Sequence, residues 1–338
     1  CALDPLSPGE YMKKKFLSGF ATAAAAALML TACGGGNGGE DGSEAGGETE
    51  ELREVTIGVL SIAPSVGVAY GIENGIFEEH GFDVNYEISS AGAAMLPAVS
   101  AGQLDFGVGN PLSVTTAVDQ GLDMRIVAGY SNSLEEGNDV AGVVTRADSG
   151  IETWADLEGK TTAVNALNTL GDLTVTYLVE EDGANPDAVN FSEMGFPDMP
   201  AQLERGNADA VWIPEPFLSQ MLDDEENKLV GYSFQETDPG MATMVTFTSG
   251  QLAEEDPELV ADFGEAMKAA LAASQEDQEG SRELLVEFLE IPEEAAQELV
   301  MERLDGEVNR EQLMFMVELA DKYNFIDEAP TEEELFLN

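Results

Sequence analysis

Residues 54–88 read EVTIGVLSIAPSVGVAYGIENGIFEEHGFDVNYEI, and the reading of this stretch decides the fold. Val55 to Leu60 is a short apolar run rich in β-branched residues, which predicts a strand. Val66 to Glu79 predicts a helix ending before His80-Gly81, and Phe82 to Ile88 predicts a second strand. The unit then recurs. Ala93 to Ala101 is a helix stopped by Gly102, and Asp105 to Gly109 is a strand. Pro111 to Gln120 is a helix with proline in its first turn, and Met124 to Tyr130 is a fourth strand. Strands separated by single helices predict parallel pairing with right-handed crossovers, hence an α/β fold.

After a strand at Val140 to Arg146 the pattern restarts. A helical turn at Trp154 to Leu157 leads to a strand at Thr161 to Asn165 and a helix at Gly171 to Asp182, closed by Gly183. Strands follow at Val189 to Met194, Ala210 to Ile213 and Leu229 to Phe234, with a helix at Met199 to Arg205. Met241 to Thr248 is an apolar strand able to return to the first half, and the chain is helical from Gln251 onward. The expected architecture is α/β, with two lobes, a helical C-terminal part and a cleft between the lobes. Lobe I takes residues 54–140 plus 241–338, and lobe II takes 141–240.

Upstream, Met12 and Lys13 to Lys15 form a positive segment, Phe16 to Leu30 an apolar one, and Leu30-Thr31-Ala32-Cys33 closes the leader. This resembles a bacterial lipobox. The resemblance implies removal of residues 1–32, lipid on Cys33, and a chain held at the outer face of the cytoplasmic membrane. The apolar run is shorter than the roughly 20 residues of a spanning helix. Residues 1–11 precede Met12 and read as upstream translation. Residues 33–53 are mostly Gly, Glu, Ser and Asp, a flexible acidic linker. The other cysteine is Cys1, so the processed chain has no internal disulfide and depends on a packed core.

Lys+Arg number 14 against 66 Asp+Glu, for a formal net charge of -52. No basic stripe exists, which excludes nucleic acid as a partner. The acids are spread over helices that keep apolar faces, so they predict a solvated surface rather than disorder. Such a surface suits high salt, where screening shortens charge repulsion to about 3 Å at 1 M. A salt-tolerant source is the expectation.

Several segments resemble one family. They are Ala69-Tyr70-Gly71-Ile72-Glu73-Asn74-Gly75-Ile76-Phe77, Gly81-Phe82-Asp83-Val84, and Ala101-Gly102-Gln103-Leu104-Asp105-Phe106-Gly107 in the first half. In the second half they are Asp156-Leu157-Glu158-Gly159-Lys160, Leu203-Glu204-Arg205-Gly206-Asn207-Ala208-Asp209-Ala210 and Glu215-Pro216-Phe217. In order and spacing, over roughly Glu54 to Pro216, they resemble the binding proteins of ABC importers for nitrate, sulfonates, taurine and thiamine-precursor pyrimidines. The resemblance implies a type II periplasmic-binding-protein-like clamshell, a monomer that closes on a small solute and presents it to a permease with its ATPase.

In open α/β sheets ligands sit beyond the carboxyl ends of strands, where helix N-termini offer free N–H groups. The expected lining is therefore Ser61 and Pro64, then Ser89, Ser90 and Gly92, then Asn110 and Ser113. In the second lobe Asn165, Asn168 and Thr169 lie on a loop running into a helix, as ligand donors or as caps alone. Tyr130 and Trp212 are each an aromatic wall of the cleft or a core residue. Glu215, held in Pro214-Glu215-Pro216, accepts a hydrogen bond from a solute amine or caps the following helix. No Lys or Arg falls in these loops, which disfavours a naked dianion. The solute expectation leans to the nitrate, sulfonate and taurine type, with a planar aminopyrimidine-like heterocycle close behind.

An enzyme on the same fold would need a suitable histidine, an iron-linked cysteine cluster or a cytosolic location, and a metal site would need clustered ligands. His80 is the only histidine and sits at a helix end, and Asp223-Asp224-Glu225-Glu226 reads as a solvated turn rather than a calcium loop. No catalytic residue, metal or cofactor is expected. A tethered sensor would share this sequence.

Overall fold

The computed structural model describes residues 51–89 and 92–337. The leader, Cys33, the linker as far as residue 50, and Ser90 lie outside the described residues, and Arg53, expected at the end of the linker, is the first residue of β1. Eleven strands are described: β1 Arg53–Leu60, β2 Phe82–Ser89, β3 Phe106–Gly109, β4 Met124–Asn132, β5 Ala141–Arg146, β6 Thr161–Val164, β7 Asn190–Glu193, β8 Ala210–Pro214, β9 Asn227–Gly231, β10 Ala242–Ser249 and β11 Arg303–Leu304. Helices of eight residues or more are α1 Val66–Glu73, α2 Gly92–Ser100, α3 Pro111–Asp119, α4 Leu170–Glu181, α5 Pro257–Glu276, α6 Gln278–Phe288 and α7 Arg310–Lys322.

Lobe I is a six-stranded sheet in the order β11-β4-β10-β3-β1-β2, and lobe II a five-stranded sheet in the order β7-β6-β8-β5-β9. Pairing is parallel for β1 with β2 and β3, and for β6 with β7 and β8. The expectation of parallel pairing fails at β4, which pairs antiparallel with β10 and β11, and the returning strand β10 enters antiparallel between β3 and β4. A long apolar strand with two free edges beside it completes both ladders at once, a tertiary choice that local pattern does not encode.

One face of the lobe I sheet is covered by α5, whose Phe263 stacks on Phe106 at 4.0 Å and meets Phe82 edge-on at 5.4 Å. A second hydrophobic cluster runs from Leu112 and Ala117 on α3 through Met316 and Val317 on α7 to Leu173 and Val175 on α4, joining the lobes. The helix expected over Val66–Glu79 is interrupted at Asn74-Gly75, where Gly75 takes φ +69°. The strand expected to reach Phe234 ends at Gly231, and Ser233–Thr237 is helical. Phe217–Leu222 adds an unanticipated short helix, and β11 interrupts the helical C-terminal part.

The register shows where the strand ends point. Gly109 of β3 pairs with Val245 and Asn132 of β4 with Ala242, near the start of β10. In lobe II, Pro214 at the end of β8 pairs with Ala141 at the start of β5. The chain passes between lobes through Ser133–Val140 before β5 and again just before β10, so the carboxyl ends of the parallel strands in both sheets converge on these crossings. The crossings are bonded together: Ser133 N donates to Met241 O at 2.8 Å and Gln235 Nε2 to Leu134 O at 3.0 Å. Buried Asp139 fastens both by accepting from Leu134 N at 2.8 Å and Gln235 N at 3.2 Å.

Candidate functional site

On the lobe I side, Ser61 is exposed and Pro64 is buried. Tyr130 corrects the expectation of an aromatic wall. It is fully buried against α1 and α5, and its hydroxyl donates to Pro64 O at 3.0 Å, so it fixes the β1 loop from beneath. Ser89 is half-buried. Gly92 and Gly109 meet backbone to backbone: a Cβ on Gly92 would stand 3.0 Å from Gly109 Cα. The first residue of α2 therefore seats directly on the last residue of β3. Asn110 caps α3, its Oδ1 accepting from Leu112 N at 2.9 Å, with half-buried Ser113 in the same turn.

On the lobe II side, the loop after β6 is filled from within. Asp172 accepts from Asn168 N at 2.7 Å and from Thr169 N at 2.8 Å. Glu193, at the end of β7, accepts from Leu167 N at 3.0 Å. Three successive N–H groups that an anion would use are thus bound to the protein's own carboxylates. Asn165 and Asn168 are exposed, and Asn168 holds φ +58°, a left-handed conformation that asparagine tolerates. Asp172 is 3 % exposed, and burial pushes its carboxyl up to about 6 against the opposing pull of the two N–H bonds. The signal for this lay in the sequence, since Thr169 with Asp172 three residues on is a capping-box pattern. Glu193 carried no signal, because its role depends on the β6–β7 pairing.

Trp212 corrects a second expectation. It is 6 % exposed, its Nε1 donates to Ser233 Oγ at 2.9 Å, and Phe234 packs on it at 5.6 Å. The indole supports the first turn of α4, where a Cβ on Gly171 would stand 2.8 Å from its ring. It positions the loop instead of lining the cleft. Half-buried Phe196 and Phe217, 6.3 Å apart, are the rings at the ends of the β7 and β8 segments. Both rings pack against the lobe II core cluster of Met199, Leu203 and Leu218. Glu215, two residues before Phe217, is half-buried, with its N–H on Val140 O at 2.9 Å. Its carboxylate accepts from Ser219 Oγ at 2.7 Å, and burial raises its pKa while Ser219 opposes the shift.

At the floor, between β4 and β10, Ser131 Oγ lies 2.9 Å from Thr243 Oγ1, which lies 2.6 Å from Glu302 Oε2. Glu302 is half-buried as a residue, but its carboxyl is packed round on all sides, and burial pushes it up to about 7. Nothing in the local sequence marked Glu302. A concavity of about 560 Å³ by His80, Lys268 and Glu307 is lined by the segment after β11 and by none of the loops that follow the parallel strands. Among the described residues no group of three or more His, Cys, Asp or Glu side chains is arranged to hold a metal, and no helix is long and apolar enough to cross a membrane.

Comparison with known proteins places the fold. A protein of Brachyspira hyodysenteriae provisionally named an ABC transporter periplasmic binding protein is 26% identical over 189 residues, 52% of this chain and 52% of that one. A provisionally named binding protein of Brucella abortus is 26% identical over 271 residues, 71% of this chain and 76% of its own. The chain thus spans about half of the first relative and three quarters of the second. The periplasmic aliphatic sulphonate binding protein SsuA from Escherichia coli superposes with a TM-score of 0.70 at 18% identity, covering 84% of this chain and 97% of that one. The periplasmic nitrate-binding protein NrtA from Synechocystis gives 0.64 at 12% identity, covering 84% of each. These likenesses establish the periplasmic-binding-protein fold. The family model described as NMT1/THI5 like matches residues 63–281, and the chain belongs to that family.

Proposed function

We propose that the protein is the extracytoplasmic receptor of an ABC importer, which captures a small solute between its lobes and hands it to a permease with its ATPase. The observation that carries this reading is the convergence of strand carboxyl ends from both sheets on the bonded crossings. A solute seated there touches both lobes and stabilises the closed state by its differential affinity for it. The names of the relatives and structural neighbours lie in the same direction. Lobe I is read as residues 54–140 plus 241–338 and lobe II as 141–240, and the receptor works as a monomer without catalysis. Cys33 carries the lipid, and the acidic linker after it is the tether.

For the solute, the sequence leans toward nitrate, sulfonate or taurine. The carboxylates that already fill the donors of Leu167, Asn168 and Thr169 weigh against that lean. The test is a thermal melt in high salt across small solutes of both charges. A binding solute at a hundredfold excess over its dissociation constant raises stability by about 2.7 kcal/mol. No shift with any solute would sink the receptor reading. Cys33→Ser should release the protein to the medium with binding unchanged, and retention on cells would overturn the anchor.

A further inference from the structure

The strand-end loops of both lobes and the two crossings contain no Lys, Arg or His. Arg303, opposite Asn132 in register, is paired with Asp305 at 3.1 Å. An oxyanion entering lobe II would have to displace Asp172 and Glu193 from the N–H groups they hold, leaving buried Asp172 charged and unpaired. What lobe II offers instead is the half-buried ring pair Phe196 and Phe217, 6.3 Å apart, with half-buried Glu215 two residues before Phe217 at the end of β8.

Two further observations point to a bound molecule with an apolar body and a hydrogen-bonding end. Of the exposed large apolar side chains, Ile88 (44 %) stands at the end of β2 and Leu167 (42 %) in the loop after β6, one in each lobe. At the floor, Ser133 is 1 % exposed and its Oγ has no partner among the described residues. The Ser133 N to Met241 O bond extends the β4 ladder, so alternation turns Ser133 to the face shared by Ser131, Thr243 and Glu302. A buried hydroxyl left unpaired in this way needs a partner that the described residues do not supply, a water or a group of the solute.

We infer that the solute carries a positively charged nitrogen, an ammonium or amidinium, on an apolar or aromatic body, and that nitrate and sulfonates are not its ligands. The assignment rests on the importer-receptor reading and names the chemistry of that same cleft. The rings of Phe196 and Phe217 supply apolar contact and attract the cation through their faces. The Glu215 carboxylate accepts its N–H in a charge-assisted bond.

The test uses matched probes on the processed chain: phenethylammonium against 2-phenylethanesulfonate, benzamidinium against benzenesulfonate, and nitrate alone. The cationic member of each pair raises the melt and the anion does not. Glu215→Gln weakens the cation by about tenfold, as loss of a charged hydrogen bond does, while the apo melt holds. A shift with a sulfonate or nitrate and none with its cationic partner overturns the charge assignment and leaves the receptor reading standing. Silence of every probe overturns the charge assignment, and the receptor reading falls with it only if the wider solute panel is silent too. A Glu215→Gln variant that binds the cation as the parent does removes that carboxylate from the site.

Discussion

Lys322 Nζ lies 2.5 Å from Glu180 Oε2, which fastens the end of α7 to the far end of α4. Tyr323 donates its hydroxyl to the same carboxylate. Lys322 and Tyr323 hold the Glu180 carboxyl below its ordinary range. The near end of α4 carries the loop filled by Asp172. At about 1.5 Å per residue, this helix is a rod of roughly 18 Å from loop to fastening. The ion pair is half-exposed, so it contributes little to stability, and its weight lies in what it connects.

The fastening predicts a change in shape rather than in folding. Lys322→Met should leave the melt close to the parent and raise the radius of gyration of the apo protein in small-angle scattering. An unchanged radius at low and high salt would mean that the lobes are held by other contacts.

Beside this pair, Tyr177 of α4 and Phe315 of α7 meet edge-on at 6.1 Å. A double-mutant cycle to alanine should give a coupling of about 0.5–1.5 kcal/mol, the range for such ring pairs. A coupling near zero would show that the two helices touch without cooperating.

Trp212→Ala removes a buried indole and its bond to Ser233, and should cost about 3–5 kcal/mol in urea unfolding of the apo protein. A residue that only stacked on solute would leave the apo transition untouched. That outcome would restore Trp212 to the cleft wall.

Gly92→Ala places a Cβ 3.0 Å from Gly109 Cα, where both sides are backbone and neither yields cheaply. The expected cost is about 1–3 kcal/mol, accompanied by weaker solute binding because the start of α2 is forced away from the end of β3. Equal stability and affinity in parent and variant would mean that Gly92 is not seated on Gly109 as described.

Glu302 sets a dependence on pH. Its carboxyl, near 4.5 when unfolded and about 7 in the fold, faces Asp139 from the first crossing and Tyr130 from β4. Between those values the native state holds a proton that the unfolded state has released, so stability falls as pH rises through the window. Glu302→Gln removes this carboxyl's share of the dependence, leaving that of Asp172: its urea midpoint should gain on the parent between pH 5 and pH 8. A gap that stays constant with pH would show that the carboxyl titrates normally.

The alternation of strand and helix was legible because each element is short, amphipathic and punctuated. Gly102 ends its helix segment and Pro111 starts the next where the pattern placed them. What escaped depended on partners far along the chain. The place of β10 between β3 and β4 is settled by two ladders some hundred residues upstream, and Glu302 gains meaning only from Ser131 and Thr243. Tyr130 and Trp212 show the limit for aromatic residues, since a ring at a strand end has the same letter whether it faces a solute or supports the loop that does. Asp172 was readable as a cap, but not as the reason that the loop's donors are spent.

The insertion of β10 imposes an order on biogenesis. The lobe II sheet is contiguous from Ala141 to Gly231, so all its strands are made before β10 emerges. Lobe I, although it starts first, keeps the facing edges of β3 and β4 open until residues 242–249 arrive to fill the gap. A chain truncated near residue 240 therefore completes one half and displays two bare strand edges in the other, the kind of surface that recruits further strands into aggregates.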